Sequence, residues 1–334
     1  MNRLPLFVLC LALTLYLAPL AHPAAAQAPG EWAWVGGSNA LGQPTVYGVE
    51  YQFAAANTPG ARSWSTSWAD QQGRLWLFGG YNGVSLNDFW VFDPAQGAHG
   101  EWAWVGGSKQ ADEPGSYGTK YQFASANIPG GREQGASWID QKGRFWLFGG
   151  LGPDFAGATG YLNDLWVFDP AQGAHGEWAW MGGSDTVHVA SGHFNYSGQP
   201  GKYGTEYQFA AANIPGGRTS PVSWVDSDGR FRLFGGNGLG SVQENGGYLD
   251  DLWVFDPNQG AHGEWAWTGG SGNPDDNGVY GTAIYFTIDG KMPTLASARY
   301  STPFTISSTT TVKAVAVKTG YANSAVITSV ITIQ

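Results

Sequence analysis

The chain of 334 residues carries a net charge of −10 and one cysteine, Cys10. An acidic body offers no electrostatic footprint to DNA or RNA and is repelled by anionic lipid, which sets nucleic acid aside as a partner. With its one thiol at position 10, the chain has no disulfide framework, thiolate metal site or cysteine nucleophile farther along.

In chain order, Arg3 precedes an apolar run at residues 4–20, and Ala24, Ala25 and Ala26 stand before Gln27. A charged start, an apolar core and a small-residue exit form the pattern of a secretory signal peptide. Residues 1–26 are therefore expected to be removed on export, leaving a secreted, extracellular or periplasmic chain without membrane insertion. Bulky Leu9 before Cys10 argues against lipid attachment.

From residue 31 three words recur. Glu-Trp-Ala-Trp begins at Glu31, Glu101, Glu177 and Glu264. Gly-Arg-Leu-Trp-Leu-Phe-Gly-Gly occupies residues 73–80, with echoes at 143–150 and 229–236. Leu-Asn-Asp-Phe-Trp-Val-Phe-Asp-Pro occupies 86–94, with echoes at 162–170 and 249–257. Short aromatic and aliphatic runs closed by Gly-Gly or Asp-Pro read as strands bounded by turns, here at 65–69, 75–78, 89–92 and 102–105. A repeated unit buries its apolar face only against its neighbours, and four strands per unit match a propeller blade. An all-β fold follows, with blades at about 62–106, 132–182 and 218–269 and a lone fourth-type strand at 31–36.

The order of these words, led by Pro59-Gly60-Ala61-Arg62, resembles the kelch repeat, and the likeness covers residues 31–271. The starts of successive Glu-Trp words lie 70, 76 and 87 residues apart, against a usual kelch period of ~50. The surplus falls in the second-to-third-strand loops (81–85, 151–161, 237–248) and the inter-blade connections (38–61, 108–131, 184–217). In an up-and-down blade these emerge on one side, which marks a binding face or a set of solvated spacers. Closed propellers use ~4 to 8 blades, so three complete blades imply a homodimer closing a six-bladed ring, an open self-associating array, or a piece of a longer protein.

Residues 27–278, the kelch region, hold 11 Lys and Arg against 25 Asp and Glu and contain every tryptophan. Residues 279–334 contain none, and their alternating runs at 283–288, 311–317 and 325–333 read as strands. The word Ile284-Tyr-Phe-Thr-Ile-Asp-Gly-Lys-Met-Pro-Thr294 resembles the small immunoglobulin-like β-sandwich at the C-terminus of chitobiase and β-hexosaminidase. That resemblance implies a non-catalytic accessory module. The strands that normally precede this word are lacking, and Tyr280-Gly281-Thr282, a phrase shared with the connections, stands there as a splice point of a truncated sandwich.

Kelch propellers include copper-radical oxidases similar to galactose oxidase, whose cofactor links a tyrosine to a cysteine. A mature chain without cysteine cannot form it, and neither a cofactor nor a metal is expected. His99, His175 and His262 share one turn in successive blades, where symmetry separates them. His188 and His193 beside Asp185, and Asp275-Asp276-Asn277-Gly278, could coordinate weakly but fit a solvated loop and a linker. Gly79, Gly80, Gly149, Gly150, Gly235 and Gly236 read as structural. Arg62, Arg132 and Arg218 either present a positive ring to an acidic ligand or pair with Asp88, Asp164 and Asp251, and pairing is favoured.

Specificity then falls to non-repeated aromatics of the loop face: Trp64, Tyr81, Phe155, His193, Phe194 and Tyr196. They suit a carbohydrate or protein partner and a non-catalytic binding or scaffold role. The competing readings are a carbohydrate-active enzyme resembling the kelch sugar epimerases, which requires carboxylates such as Glu133 and Asp154 to converge, and a truncated fragment without function.

Overall fold

The computed structural model describes residues 34–188, 197–242, 246–276, 283–302, 304–317, 323–324 and 326–332. Residues 1–39 and 40–334 form two separate units.

In the second unit, three antiparallel sheets follow one another. The first orders β1 (Thr66–Ala69), β2 (Leu75–Tyr81), β3 (Ser85–Asp93) and β4 (Glu101–Gly106) in sequence. The second does the same with β5 (Ala136–Ile139), β6 (Phe145–Pro153), β7 (Thr159–Asp169) and β8 (Glu177–Gly182). In the third, β10 (Val222–Val225), β11 (Phe231–Leu239), β12 (Gly246–Asp256) and β13 (Glu264–Gly269) are joined by the short β9 (Arg218–Thr219), which pairs with β11. These are meander blades, and the aromatic and aliphatic words of their middle strands, such as Phe89-Trp90-Val91 and Phe145-Trp146-Leu147-Phe148, are buried.

Each Gly-Gly word makes a bulge. The register between β2 and β3 slips at Gly79, between β6 and β7 at Gly149, and between β11 and β12 at Gly235. These glycines have φ of 62°, 65° and 64°, the left-handed region in which a Cβ is penalised.

Apolar side chains fill the space between blades. Trp68, Trp76, Phe78 and Phe89 pack against Phe145, Leu147, Trp166, Phe168 and Trp178 of the second blade. Trp138, Trp146 and Phe148 meet Phe231, Leu233, Trp253, Phe255 and Trp265 of the third. The Trp68 indole stacks on Phe145 at 5.6 Å and the Trp138 indole on Phe231 at 5.3 Å. Each also donates across the junction, Trp68 Nε1 to the Trp138 carbonyl and Trp138 Nε1 to the Arg232 carbonyl, both at 3.1 Å. Arg232 itself departs from the pattern. Trp76 and Trp146 donate from their indoles to Asp70 and Asp140, whereas Arg232 donates to Asp226.

The repeated arginines are sequestered within their own blades. Arg132 and Asp164 are side chains of 0% exposure, joined in a bidentate pair at 2.7 and 2.8 Å. Arg218 with Asp251 and Arg62 with Asp88 repeat it. Tyr117, Tyr203 and Tyr47 donate their hydroxyls to the same aspartates, as do the indoles of Trp166, Trp253 and Trp90. Each guanidinium also donates to the carbonyl of the bulge glycine, Gly79, Gly149 or Gly235. The arginines therefore present no positive ring to a ligand.

Two expectations need correction or refinement. Of the strand expected at 31–36, whose word matches those of β4, β8 and β13, residues 34–36 form none and 31–33 lie outside the described residues. Among the described residues 34–36 enter no sheet ladder, and a strand without a ladder leaves its peptide groups to water. In the C-terminal region, β14 (Ala283–Thr287), β15 (Ala298–Arg299), β16 (Thr310–Val317) and β17 (Ile327–Ile331) form one antiparallel sheet in the order β15-β14-β16-β17. On it Phe286 stacks against Phe304 at 4.6 Å.

Replacing Asp164 with alanine leaves a buried guanidinium unpaired and should lower unfolding free energy by roughly 3–5 kcal/mol in denaturant titrations. Burial alone would raise the Asp251 carboxyl, but Arg218 and the Tyr203 and Trp253 donors hold it below 3.8. Its stabilisation is therefore complete above pH 3.8 and is lost as pH falls through the lowered folded value. The deficit of Asp251→Asn should be constant from neutral pH down to mild acid and shrink below pH 3.8.

Candidate binding site

The two kinds of variable segment meet on one side of each blade. The Ser85 amide donates to Asp112 Oδ1 at 2.9 Å, the Val187 amide to Asp154 Oδ2 at 2.8 Å, and the Tyr248 amide to Asp275 Oδ1 at 2.9 Å. In each pair one residue belongs to the second-to-third-strand region and the other to the following connection.

Trp64 and Tyr81 come together there. Ser63 bridges Tyr81 in antiparallel fashion, which sets the next residue, Trp64, beside the end of β2. The two rings lie 6.1 Å apart at 35°, inside the range of attractive aromatic pairs. They remain 56% and 37% exposed. Equivalent positions hold Gln134 with Leu151 and Ser220 with Asn237 in the other two blades, so the fold does not require aromatics here. Trp64 has φ of 57°, as Gln134 and Ser220 have 59° and 51°. A bulky side chain is disfavoured in that region, and nothing local selects tryptophan for it.

The other sequence candidates do not join this pair among the described residues. Phe155 is exposed, sets its ring edge-on to Tyr117 at 6.4 Å, and donates its amide to the Asp185 carbonyl. His193, Phe194 and Tyr196 lie outside the described residues.

Glu133 and Asp154 have unlike surroundings. Asp154 is 1% exposed and accepts from the amides of Ala156, Ala158 and Val187, which makes it a loop organiser. Glu133 is buried with Oε2 unpartnered, and burial raises its carboxyl above the ordinary value. Neither Asp275 nor Asp276 is arranged as an ion ligand. Asp275 holds the Tyr248 amide, and Asp276 accepts from Ser271 and Asn273. Among the described residues no cluster of three or more His, Cys, Asp or Glu side chains stands ready for a metal ion.

Two of the three turn histidines prove to be junction residues. His175 stacks on Tyr51 at 3.8 Å and 14°, and His262 on Tyr121 at 3.8 Å and 6°, each tyrosine coming from the connection of the preceding blade. Beside these stacks lie two equivalent clefts of unlike charge. That between the second and third blades, about 470 Å³, is lined by Lys120 and Lys202 balanced by Asp185 and Glu264, with Trp180 beside them. That between the first and second, about 410 Å³, is acidic and carries Glu50, Glu113 and Glu177. Lys120 Nζ sits 4.2 Å from the Trp180 ring centroid, and burial lowers its ammonium below the usual lysine value.

Blades of this order, with a guanidinium buried in each, can be set beside known proteins. Residues 71–102 match the Kelch motif model, and 276–328 match the model of the Chitobiase/beta-hexosaminidase C-terminal domain. The chain thus carries one match to the kelch motif and one to a C-terminal domain of that type, and the motif points to a binding or scaffolding role. Similar solved structures include one titled Structure of YjhT, at 16% identity and a TM-score of 0.39, covering 68% of this chain and 56% of that one. A fungal alcohol oxidase in complex with copper matches at 13% identity and a TM-score of 0.29, covering 76% of this chain and 58% of that one. The chain thus spans a little over half the length of each. No curated protein sequence matches.

Glu133 gives a direct test of its surroundings. Its folded carboxyl keeps a proton to higher pH than the unfolded one, so ionisation costs stability as pH rises above 4.5. Glu133→Gln should be at least as stable as the parent at neutral pH in thermal melts, with the gap closing below pH 4.5.

Proposed function

We propose that the chain is a secreted, non-catalytic binding protein that recognises carbohydrate through the Trp64–Tyr81 pair. The observation carrying this reading is that the first blade brings two solvent-exposed rings together at positions where the repeat elsewhere uses Gln134, Leu151, Ser220 and Asn237. Exposed aromatic faces bury the apolar face of a sugar ring while its hydroxyls stay in water, and the indole N–H and phenol O–H supply polar handles. The acidic kelch region disfavours anionic partners, and the leader pattern of residues 1–26 supports export. The C-terminal domain, of a type found beside secreted enzymes, fits an accessory role.

An enzyme acting on sugars would need Glu133 and a second carboxylate to share a substrate. Asp154 is occupied by three backbone amides, which speaks against it in that role.

A panel of neutral oligosaccharides titrated against tryptophan fluorescence should find a ligand. Trp64→Ala should weaken it by about tenfold, the equivalent of ~1.4 kcal/mol, and leave the melting temperature unchanged. Unaltered affinity in Trp64→Ala and Tyr81→Ala, or sugar turnover abolished by Glu133→Gln, would overturn the reading.

A further inference from the structure

The two blade junctions are copies of one another, and each is built from two unlike halves. The leading half offers a tryptophan, a phenylalanine and a connection tyrosine: Trp68, Phe78 and Tyr51, then Trp138, Phe148 and Tyr121. The receiving half offers the first residue of the second strand and the turn histidine: Phe145 and His175, then Phe231 and His262. The innermost strands repeat their contacts as well. The Gln134 amide donates to the Trp64 carbonyl and the Ser220 amide to the Gln134 carbonyl, while Ser137 Oγ reaches the Ser67 carbonyl and Ser223 Oγ the Ser137 carbonyl.

One half of each kind is unused. On the third blade, Trp224 and Phe234 are 43% and 42% exposed, where Trp138 and Phe148 are 3% and 0%. Tyr207 is 70% exposed, against 42% for the stacked Tyr121. On the first blade, Leu75 is 49% exposed, where Phe145 and Phe231 are 0%. The glycine bulges show the same vacancy. A Cβ at Gly79 or Gly149 would strike a carbonyl of its own blade and that of Arg132 or Arg218 in the next, whereas one at Gly235 meets only its own Leu249.

We propose that a second copy of this chain fills both, the third blade of each copy docking on the first blade of the other to close a six-bladed ring. The repeat dictates the contacts. Trp224 donates to the carbonyls of Trp68 and Trp76 and packs on Leu75, Tyr207 stacks on His99, and the Trp64 amide meets the Ser220 carbonyl. Arg232 stands where Trp76 and Trp146 meet Phe168 and Phe255 at 5.7 and 5.3 Å. The ring it faces across the new junction is Phe92, over which a guanidinium lies well. Head-to-tail contacts either close or polymerise, and two copies of the three described blades fall within the ~4 to 8 of closed propellers. The assembly also completes the aromatic site. Tyr161 reaches Asn237 of the next blade with its hydroxyl at 2.9 Å. Its counterpart Tyr248, 75% exposed, reaches Tyr81, the counterpart of Asn237.

The assembly stands on junction geometry and not on the sugar reading. Light scattering behind size exclusion on the full chain should return the mass of two chains. A Ser67→Cys, Ser223→Cys double variant should form an inter-chain disulfide on mild oxidation, with the single variants as controls for Cys10. Within one chain Ser137 stands between these residues and bonds to both segments. Tyr207→Ala, at an exposed loop position, should weaken association about tenfold, and Trp224→Arg should give a folded monomer by circular dichroism. A one-chain mass without inter-chain product overturns the proposal, as does a ladder of larger species. A two-chain mass with no sugar ligand supports the assembly and overturns the sugar reading alone.

Discussion

Everything in the kelch region hangs from a charge pair that water does not reach. Taking a guanidinium and a carboxylate out of solvent is favourable only when nearly every donor and lone pair is used, and each blade meets that condition by drawing on four parts of the chain. For Arg132 these are the connection carbonyl of Gly130, the bulge carbonyl of Gly149, both oxygens of Asp164, and through Asp164 the Tyr117 hydroxyl and the Trp166 indole. The bulge frees the glycine carbonyl, and the long connection supplies the tyrosine. In a region without disulfides, the network ties an irregular segment to a regular sheet and fixes which residue of each faces the other.

The first blade shows what happens when one part is altered. Arg62 keeps both oxygens of Asp88 and the Gly79 carbonyl, yet its Nε is buried without a partner. Its counterparts in Arg132 and Arg218 donate to Gly130 and Gly216. The sequence there reads Pro-Gly-Ala instead of Pro-Gly-Gly.

Strands and blades were legible because aromatic and β-branched words ended in turn residues at the same places three times over. The arginine–aspartate pairing could be weighed because both residues recur in step. Its tyrosine could not, since Tyr117 lies 47 residues from Asp164 and Tyr-Gly in a connection looks like loop punctuation. Likewise, a turn histidine in one blade gives no hint that a tyrosine from the preceding blade covers it. Trp64 and Tyr81 were visible as single residues, but their meeting depends on a bridge at Ser63 that no local pattern announces. The Asp154 loop could have been recognised, because an aspartate followed by Ala156-Gly157-Ala158 suits a side chain that caps nearby amides. Residues 34–36 mark the limit of word matching, since the end of the same phrase forms no strand where it enters no ladder among the described residues.

The two clefts flanking the tyrosine–histidine stacks show how a repeated scaffold diversifies. Lys120 in one and Glu50 in the other occupy the same place in the connection, so one frame presents opposite charge at neighbouring rims without altering a core residue.

Arg232 has a bearing on the life of a newly made chain. The open side of the third blade carries Val222, Trp224 and Phe234 in water, the composition of a surface that invites indiscriminate sticking. The repeat would place a further tryptophan among them, and the arginine held by Asp226 interrupts that patch with a hydrated charge. Such a residue acts as a gatekeeper against aggregation, and the one departure in the Trp-Leu-Phe word falls on the blade whose flank is exposed among the described residues.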